Sequence, residues 1–250
     1  MTPGRFVRFF LISLLPLLSL SAARAEVVSA LRIGVLEDAP PLAYRDANGQ
    51  LTGFSIKIAQ ALCAELSVRC ELIVTRLDYL VDDLAAGHFD IAAVGLLNTP
   101  ERRQKIAFTK PVYRSVTVWL ARAGAEPGQP GMRVAAFKGS AQENYARMRG
   151  WDVVGAHTDI QMVDQLGAGV AQAVIAPLMT LLNLQKDPRF LKLGLTPRVM
   201  QVAELDGLAC YGINLRRADL KGPLDEAIDK IKRNGVYDRI NSEFLPFRVN

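Results

Sequence analysis

Few residues in this chain have chemical reach, and their spacing excludes more than it suggests. The two histidines, His88 and His157, have no second ligand at metal spacing, so no zinc site is read. No G-x-S-x-G elbow, P-loop or H-E-x-x-H motif occurs. Gly167-Ala168-Gly169 begins a G-x-G, but Gln172 replaces the third glycine and the strand pattern follows rather than precedes it, so no dinucleotide cofactor is read. Two turns hold more interest. Phe137-Lys138-Gly139-Ser140 follows a strand pattern and opens a helix, a place where N–H groups and the helix dipole suit an anion. Locally, a plain glycine turn with Ser140 as N-cap explains it as well. Thr99-Pro100-Glu101-Arg102 is a strong helix start, with Thr99 as N-cap and Pro100 first in the helix. Arg102 then stands in the first turn, where a cation opposes the dipole and needs an anion: Glu101, a structural carboxylate or a ligand. A surface role is the usual outcome for a lone arginine.

The elements that must position these residues alternate in type. Strand patterns at 31–36, 71–75, 90–94 and 116–121 are interleaved with helical patterns at 55–66 and 80–86. The Gly/Pro-rich stretch Gly124–Gly131 is the clearest linker signal. Beyond it the alternation restarts: strands at 133–136, near Val153, at 172–176 and at 208–214, and helices at 140–148, 159–167, 224–234 and 237–244. Such alternation implies α/β architecture with parallel sheets and crossover helices, which bind ligands at the carboxyl ends of their strands.

The first 25 of the 250 residues read as a secretory leader. Arg5 and Arg8 precede an apolar run from Phe9 to Leu20, and Ala23-Arg24-Ala25 supplies the small-x-small cleavage pattern before Glu26. That run is too short for a membrane span. Setting the leader aside leaves 27 Lys+Arg against 25 Asp+Glu, so the net charge falls from +5 to +2 and a nucleic-acid reading loses its support. Cys63 and Cys70 are seven apart and can close a short loop in an oxidising compartment or remain two buried thiols. Cys210 lies in an apolar run and reads as an inert core thiol.

Taken together, several stretches resemble extracellular solute-binding protein family 3, the periplasmic substrate-binding proteins of polar amino-acid ABC transporters. They are Pro40–Tyr44 through Asn48–Phe54, the turn Leu84-Ala85-Ala86-Gly87-His88-Phe89-Asp90, the block GLLNTPERRQKIAFTKP at Gly95–Pro111, Phe137–Gln142, and Tyr211–Asn214 with Leu224–Phe244. The resemblance covers nearly all of the chain after the leader. It implies a two-lobed type II periplasmic binding protein fold: a mainly parallel sheet flanked by helices in each lobe, and two crossover hinge strands. Lobe one would be 26–121, lobe two 122–206, with 207–250 returning to lobe one. It also implies a Cys63–Cys70 disulfide, a monomer in the periplasm after cleavage behind Ala25, and an ABC permease in the inner membrane as partner.

The same resemblance implies a small anionic or amino-acid-like ligand in the cleft. Arg102 matches the family's carboxylate-binding arginine, Ser140 and Ala141 lie in the lobe-two turn, and Ala39, Leu77 and Gly95 line the cleft. Two positions depart from the pattern: Leu97 stands where a hydroxyl residue is expected, and Pro177 replaces the acid that takes the α-amino group. An ammonium buried there without a counter-ion is costly. The expectation is therefore a carboxylate or other anion with an apolar body and no α-ammonium, unless another acid such as Asp206 or Glu37 takes over. Ser55 and Lys57 are read onto a solvated face. Two alternatives to a transport receptor are a dehydratase or lyase on the same fold, with Glu37, Asp38 or Glu143 as acid or base, and an accessory subunit of a separate membrane sensor or dehydrogenase.

Overall fold

The computed structural model of the chain describes Met1 and residues 30–249, so the leader and its cleavage point lie outside the described residues. Lobe one opens with β1 (Ala30–Val35), and the short strands β2 (Asp38–Ala39), β3 (Ala43–Arg45) and β4 (Leu51–Thr52) form a small sheet of their own. There follow α1 (Phe54–Glu65), β5 (Arg69–Val74), α2 (Leu77–Ala86), β6 (Ile91–Leu97), α3 (Pro100–Arg103) and β7 (Ile106–Ser115). Lobe two holds β8 (Thr117–Ala121), β9 (Arg133–Phe137), α4 (Ala141–Met148), β10 (Asp152–Ala156), α5 (Asp159–Gly167) and β11 (Ala173–Pro177). It continues through α6 (Leu178–Leu184), α7 (Pro188–Leu191) and β12 (Thr196–Val199). The chain then returns through β13 (Gly207–Asn214), α8 (Lys221–Arg233) and α9 (Val236–Phe244).

The two large sheets share one plan. Their strand orders are β5-β1-β6-β13-β7 and β10-β9-β11-β8-β12. In each, three strands run parallel and a fourth, β13 or β8, runs antiparallel between the third and the edge strand. The sheets are therefore mixed, because the strand that crosses between lobes must enter from the opposite end.

Burial explains the elements. Ile33, Val35 and Ile91 are fully buried, as expected for central strands covered on both faces. Helix α1 turns Ile58, Ala59, Leu62 and Cys63 inward at helical spacing. A disulfide joins Cys63 to Cys70, tying α1 to β5. On the return, Leu224, Ile228 and Ile231 of α8 and Tyr237 of α9 pack into the same core as α1, and Tyr237 donates from its hydroxyl to Val112 O at 2.8 Å.

One boundary moves. Thr117–Ala121, expected in lobe one, pairs with β11 and β12 in the second sheet, and Gly124–Gly131 is a loop within lobe two. The real crossings are residues 115–117 and 200–207. Thr117 is fully buried, donates to Leu205 O at 3.0 Å in the other crossing, and accepts from Gln142 Nε2 at 2.9 Å. A crossing segment packed this way needs strand-type residues, not the composition of an exposed linker.

Candidate functional site

The carboxyl end of β6 delivers the site's cation. Thr99 caps α3 by accepting from the N–H of Arg102, and the side chain of Arg102 folds back under the strand end. Its Nη1 donates to Leu97 O at 3.2 Å and its Nη2 reaches across to Gly139 O of lobe two at 3.0 Å. Arg102 is only 7% exposed, and among the described residues no carboxylate lies within 4 Å of it. Burial pulls its pKa down to about 10, with the charge of Glu101 opposing. Glu101 is not its partner: that exposed carboxylate accepts instead from Asn144 Nδ2 at 3.0 Å.

Opposite, β9 runs through Gly139, with φ of +77°, into α4. Ser140 caps this helix by accepting from the N–H of Glu143 at 3.0 Å, while the Glu143 carboxylate accepts from the N–H of Gly139 at 2.8 Å. This reciprocal arrangement is a capping box in function. It leaves the N–H groups of Ala141 and Gln142 donating to no group among the described residues, at the positive end of the helix.

Between these ends lies a cavity of about 110 Å³. That is several times the space a cavity needs to hold one water, and the walls come from both lobes. All eight residues expected at the ligand line it: Ala39, Leu77, Gly95, Leu97 and Arg102 from lobe one, Ser140, Ala141 and Pro177 from lobe two. Gly95 has a specific reason to be glycine. The hydroxyl of Tyr113 occupies the space a Cβ would take, 2.0 Å from its position.

Other lining residues were not read from the sequence: Ser55, Tyr113, Gln142, Asp159, Met179 and Thr180. Ser55 is a correction, since it is 2% exposed rather than solvated, and its hydroxyl has no hydrogen-bond partner among the described residues. Lys57 is half-buried. The helical spacing of α1 gave the signal, because Ser55 precedes Ile56 and follows Phe54 on a helix start that is buried all round. Glu37 and Asp206, considered as substitute acids, are engaged elsewhere: Glu37 pairs with Arg45 at 2.6 Å and Asp206 with Arg114 at 3.0 Å. Glu143 is held by its cap and by Arg147 at 2.8 Å. Among the described residues no group of three or more His, Cys, Asp or Glu side chains is placed to hold a metal ion.

The geometry places the chain among known proteins. It is 28% identical to the L-arginine-binding protein of Pseudomonas aeruginosa, over 95% of this chain and 97% of that one. It is 27% identical to the lysine/arginine/ornithine-binding periplasmic protein of Escherichia coli, over 95% and 96%. Among solved structures, an ancestral arginine-binding protein bound to arginine superposes with a TM-score of 0.75 at 22% identity, over 86% of this chain and 97% of that one, a likeness of fold. Residues 31–247 match the model of the bacterial extracellular solute-binding proteins, family 3. With two mixed sheets facing a shared cavity and a match over nearly its whole described length, the chain belongs to the bacterial extracellular solute-binding proteins, family 3.

Proposed function

We propose that this chain is a periplasmic receptor that captures a small carboxylate-bearing, amino-acid-like ligand between its lobes and presents it to the permease of an ABC transporter. The observation that carries the reading is Arg102, a buried guanidinium with no carboxylate partner among the described residues. An isolated buried charge is costly unless something pairs with it. A planar guanidinium fork beside the free N–H groups of Ala141 and Gln142 suits a carboxylate. A ligand that spans Arg102 and the α4 turn touches both lobes, and it favours their closed arrangement by its differential affinity. Gly95, Leu97, Ala39, Leu77 and Pro177 would supply the apolar wall. The leader ending at Ala25 and the Cys63–Cys70 disulfide support export to an oxidising compartment. The relatives named above, with arginine, lysine and ornithine in their names, support an amino-acid-like ligand.

The test is calorimetry on the mature protein with the common amino acids and with amines that lack the carboxylate, such as agmatine beside arginine. The expected result is binding that requires the carboxylate, and a loss of about 10²–10³-fold in Arg102→Gln, the scale for a buried charge pair that loses one partner. Equal binding of agmatine and arginine, or an unchanged Arg102→Gln, sinks the reading.

A further inference from the structure

The cavity holds a second isolated charge, of opposite sign. Asp159, the first residue of α5, lines it and is 7% exposed. Its Oδ2 accepts from Asn183 Nδ2 of α6 at 2.5 Å, while Oδ1 accepts from no group among the described residues. No Lys, Arg or His of the described residues comes within 4 Å of this carboxylate, Arg102 included. Burial pushes its carboxyl up to about 6, Asn183 works against that, and the negative charge of Asp38 adds to it. Asp38, on β2 of lobe one, stands in an adjoining cavity that shares Leu36, Ala39, Leu77 and Phe137 with the ligand cavity. Thus Arg102 and Asp159 face one small, mostly apolar space, and neither compensates the other. A molecule complementary to that space carries both charges itself.

We propose that Asp159 is the counter-ion for a positively charged group of the ligand, a role the family pattern gives to the position now held by Pro177. The inference rests on the carboxylate reading of Arg102 and adds the ligand's other end: the cargo is a carboxylate that also bears an ammonium or guanidinium group. The acid has moved from the end of β11 to the start of α5, within the same lobe and the same cavity. The orphan hydroxyl of Ser55 is a further acceptor on the opposite wall. The expectation of a ligand without an ammonium is then replaced, because its premise was the absence of an acid facing the cleft.

Calorimetry at fixed pH with matched probes tests this: lysine, norleucine, 6-aminohexanoate and hexanoate, together with each common amino acid and its des-amino acid. Binding of norleucine with loss of 6-aminohexanoate assigns the α-ammonium to Asp159, and the reverse assigns a distal cation. Asp159→Asn is expected to weaken every amine-bearing ligand by at least about tenfold, the scale of a charge-assisted hydrogen bond, and to leave the des-amino acids unchanged. The wild-type affinity for an amine-bearing ligand should fall about tenfold from about pH 7.5 to about pH 5, as Asp159 takes up a proton. His157 and Arg76 act on Asp38, and Arg189 on α7 is paired with Asp164 and Asp187. The slope should therefore vanish in Asp159→Asn and persist in His157→Gln. Des-amino acids binding as tightly as their parents, or a slope that survives Asp159→Asn, overturns the role of Asp159 while leaving that of Arg102 intact. If none of these molecules binds, both readings fall.

Discussion

In lobe one the third strand of the sheet, β6, runs into α3 and brings Arg102 to the cleft. In lobe two the corresponding strand, β11, runs into α6 and brings Pro177, Met179 and Thr180. The carboxylate and the open helix start of lobe two come instead from the helices after β9 and β10, with Ser140 and Ala141 at the start of α4 and Asp159 at the start of α5. One topology thus offers several strand ends to the same cavity, and each lobe has placed its charge on a different one. The lobes also differ in reinforcement: lobe one has the Cys63–Cys70 bond and the returning helices α8 and α9, while lobe two relies on two smaller apolar clusters. Lobe one is built to hold its shape around a fixed cation, and lobe two to present a carboxylate and a helix start to it.

The seam between the lobes is where this contrast breaks most readily. Gly139 has a left-handed φ, and a Cβ there would lie 2.6 Å from the Cα of Asp78 and 2.7 Å from Leu77 O, both backbone atoms of lobe one. Neither atom can swing aside as a flexible side chain could. Gly139→Ala should therefore combine left-handed strain with a wedge between the lobes, lowering ligand affinity by about 10²-fold, or about 2.7 kcal/mol. Small-angle scattering with saturating ligand should show a larger radius of gyration than wild type. Unchanged affinity would mean that the Gly139 approach is not part of the ligand-bound form.

The next test separates the stabilities of the lobes. Removing the disulfide by Cys63→Ser with Cys70→Ser opens a short loop, which by chain entropy costs about 2.5 kcal/mol. Urea titration should show that loss, while affinity at low temperature stays within about twofold, because neither cysteine lines the cavity. In lobe two the expected sign is opposite. Asp159 binds its proton more tightly folded, near pH 6, than unfolded, near 3.8, so its contribution is favourable at low pH and is lost as pH rises through that window. Asp159→Asn should therefore stabilise the ligand-free protein by about 3 kcal/mol at about pH 7.5, and the gain should disappear below about pH 4. A variant that is destabilised at neutral pH would show that the carboxylate is already satisfied by its own protein.

Much of this architecture is legible in the residues themselves. Thr99-Pro100 and Ser140 read as helix starts and both hydroxyls cap their helices, while Gly87 ends α2 in the left-handed conformation that glycine adopts freely. Local chemistry decides such features, so they are visible locally. The crossings were hidden because Val116 and Thr117 are strand-like, the first half-buried and the second fully buried, whereas the loop at Gly124–Gly131 has the composition of a linker without being one. Arg102 was visible through its motif, since α3 follows β6 directly. Asp159 was not, because an aspartate at a helix start is ordinarily a solvated dipole partner. Only the packing of α5 against α6, with Asn183 over its carboxylate, turns that residue toward the cavity.

The smallest expected effect lies at the rim. Arg76 of lobe one places Nη2 2.6 Å from Asp78 Oδ2 and 3.2 Å from His157 Nδ1 of lobe two. Burial works against the Asp78 carboxylate, yet the bonds from Arg76 hold its carboxyl below the usual range. Arg76 is more than half exposed, so solvent and salt screen the group. His157→Ala should thus change ligand affinity by less than about threefold, and the difference should shrink as salt is raised from about 0.05 M to about 0.5 M. The buried reach of Arg102 to Gly139 O bridges the same two lobes from inside the cavity. A rim variant that cost tenfold or more, independent of salt, would transfer control of closure from the charges inside the cavity to the ion pair at its mouth. The division of labour between the lobes would then have to be sought there.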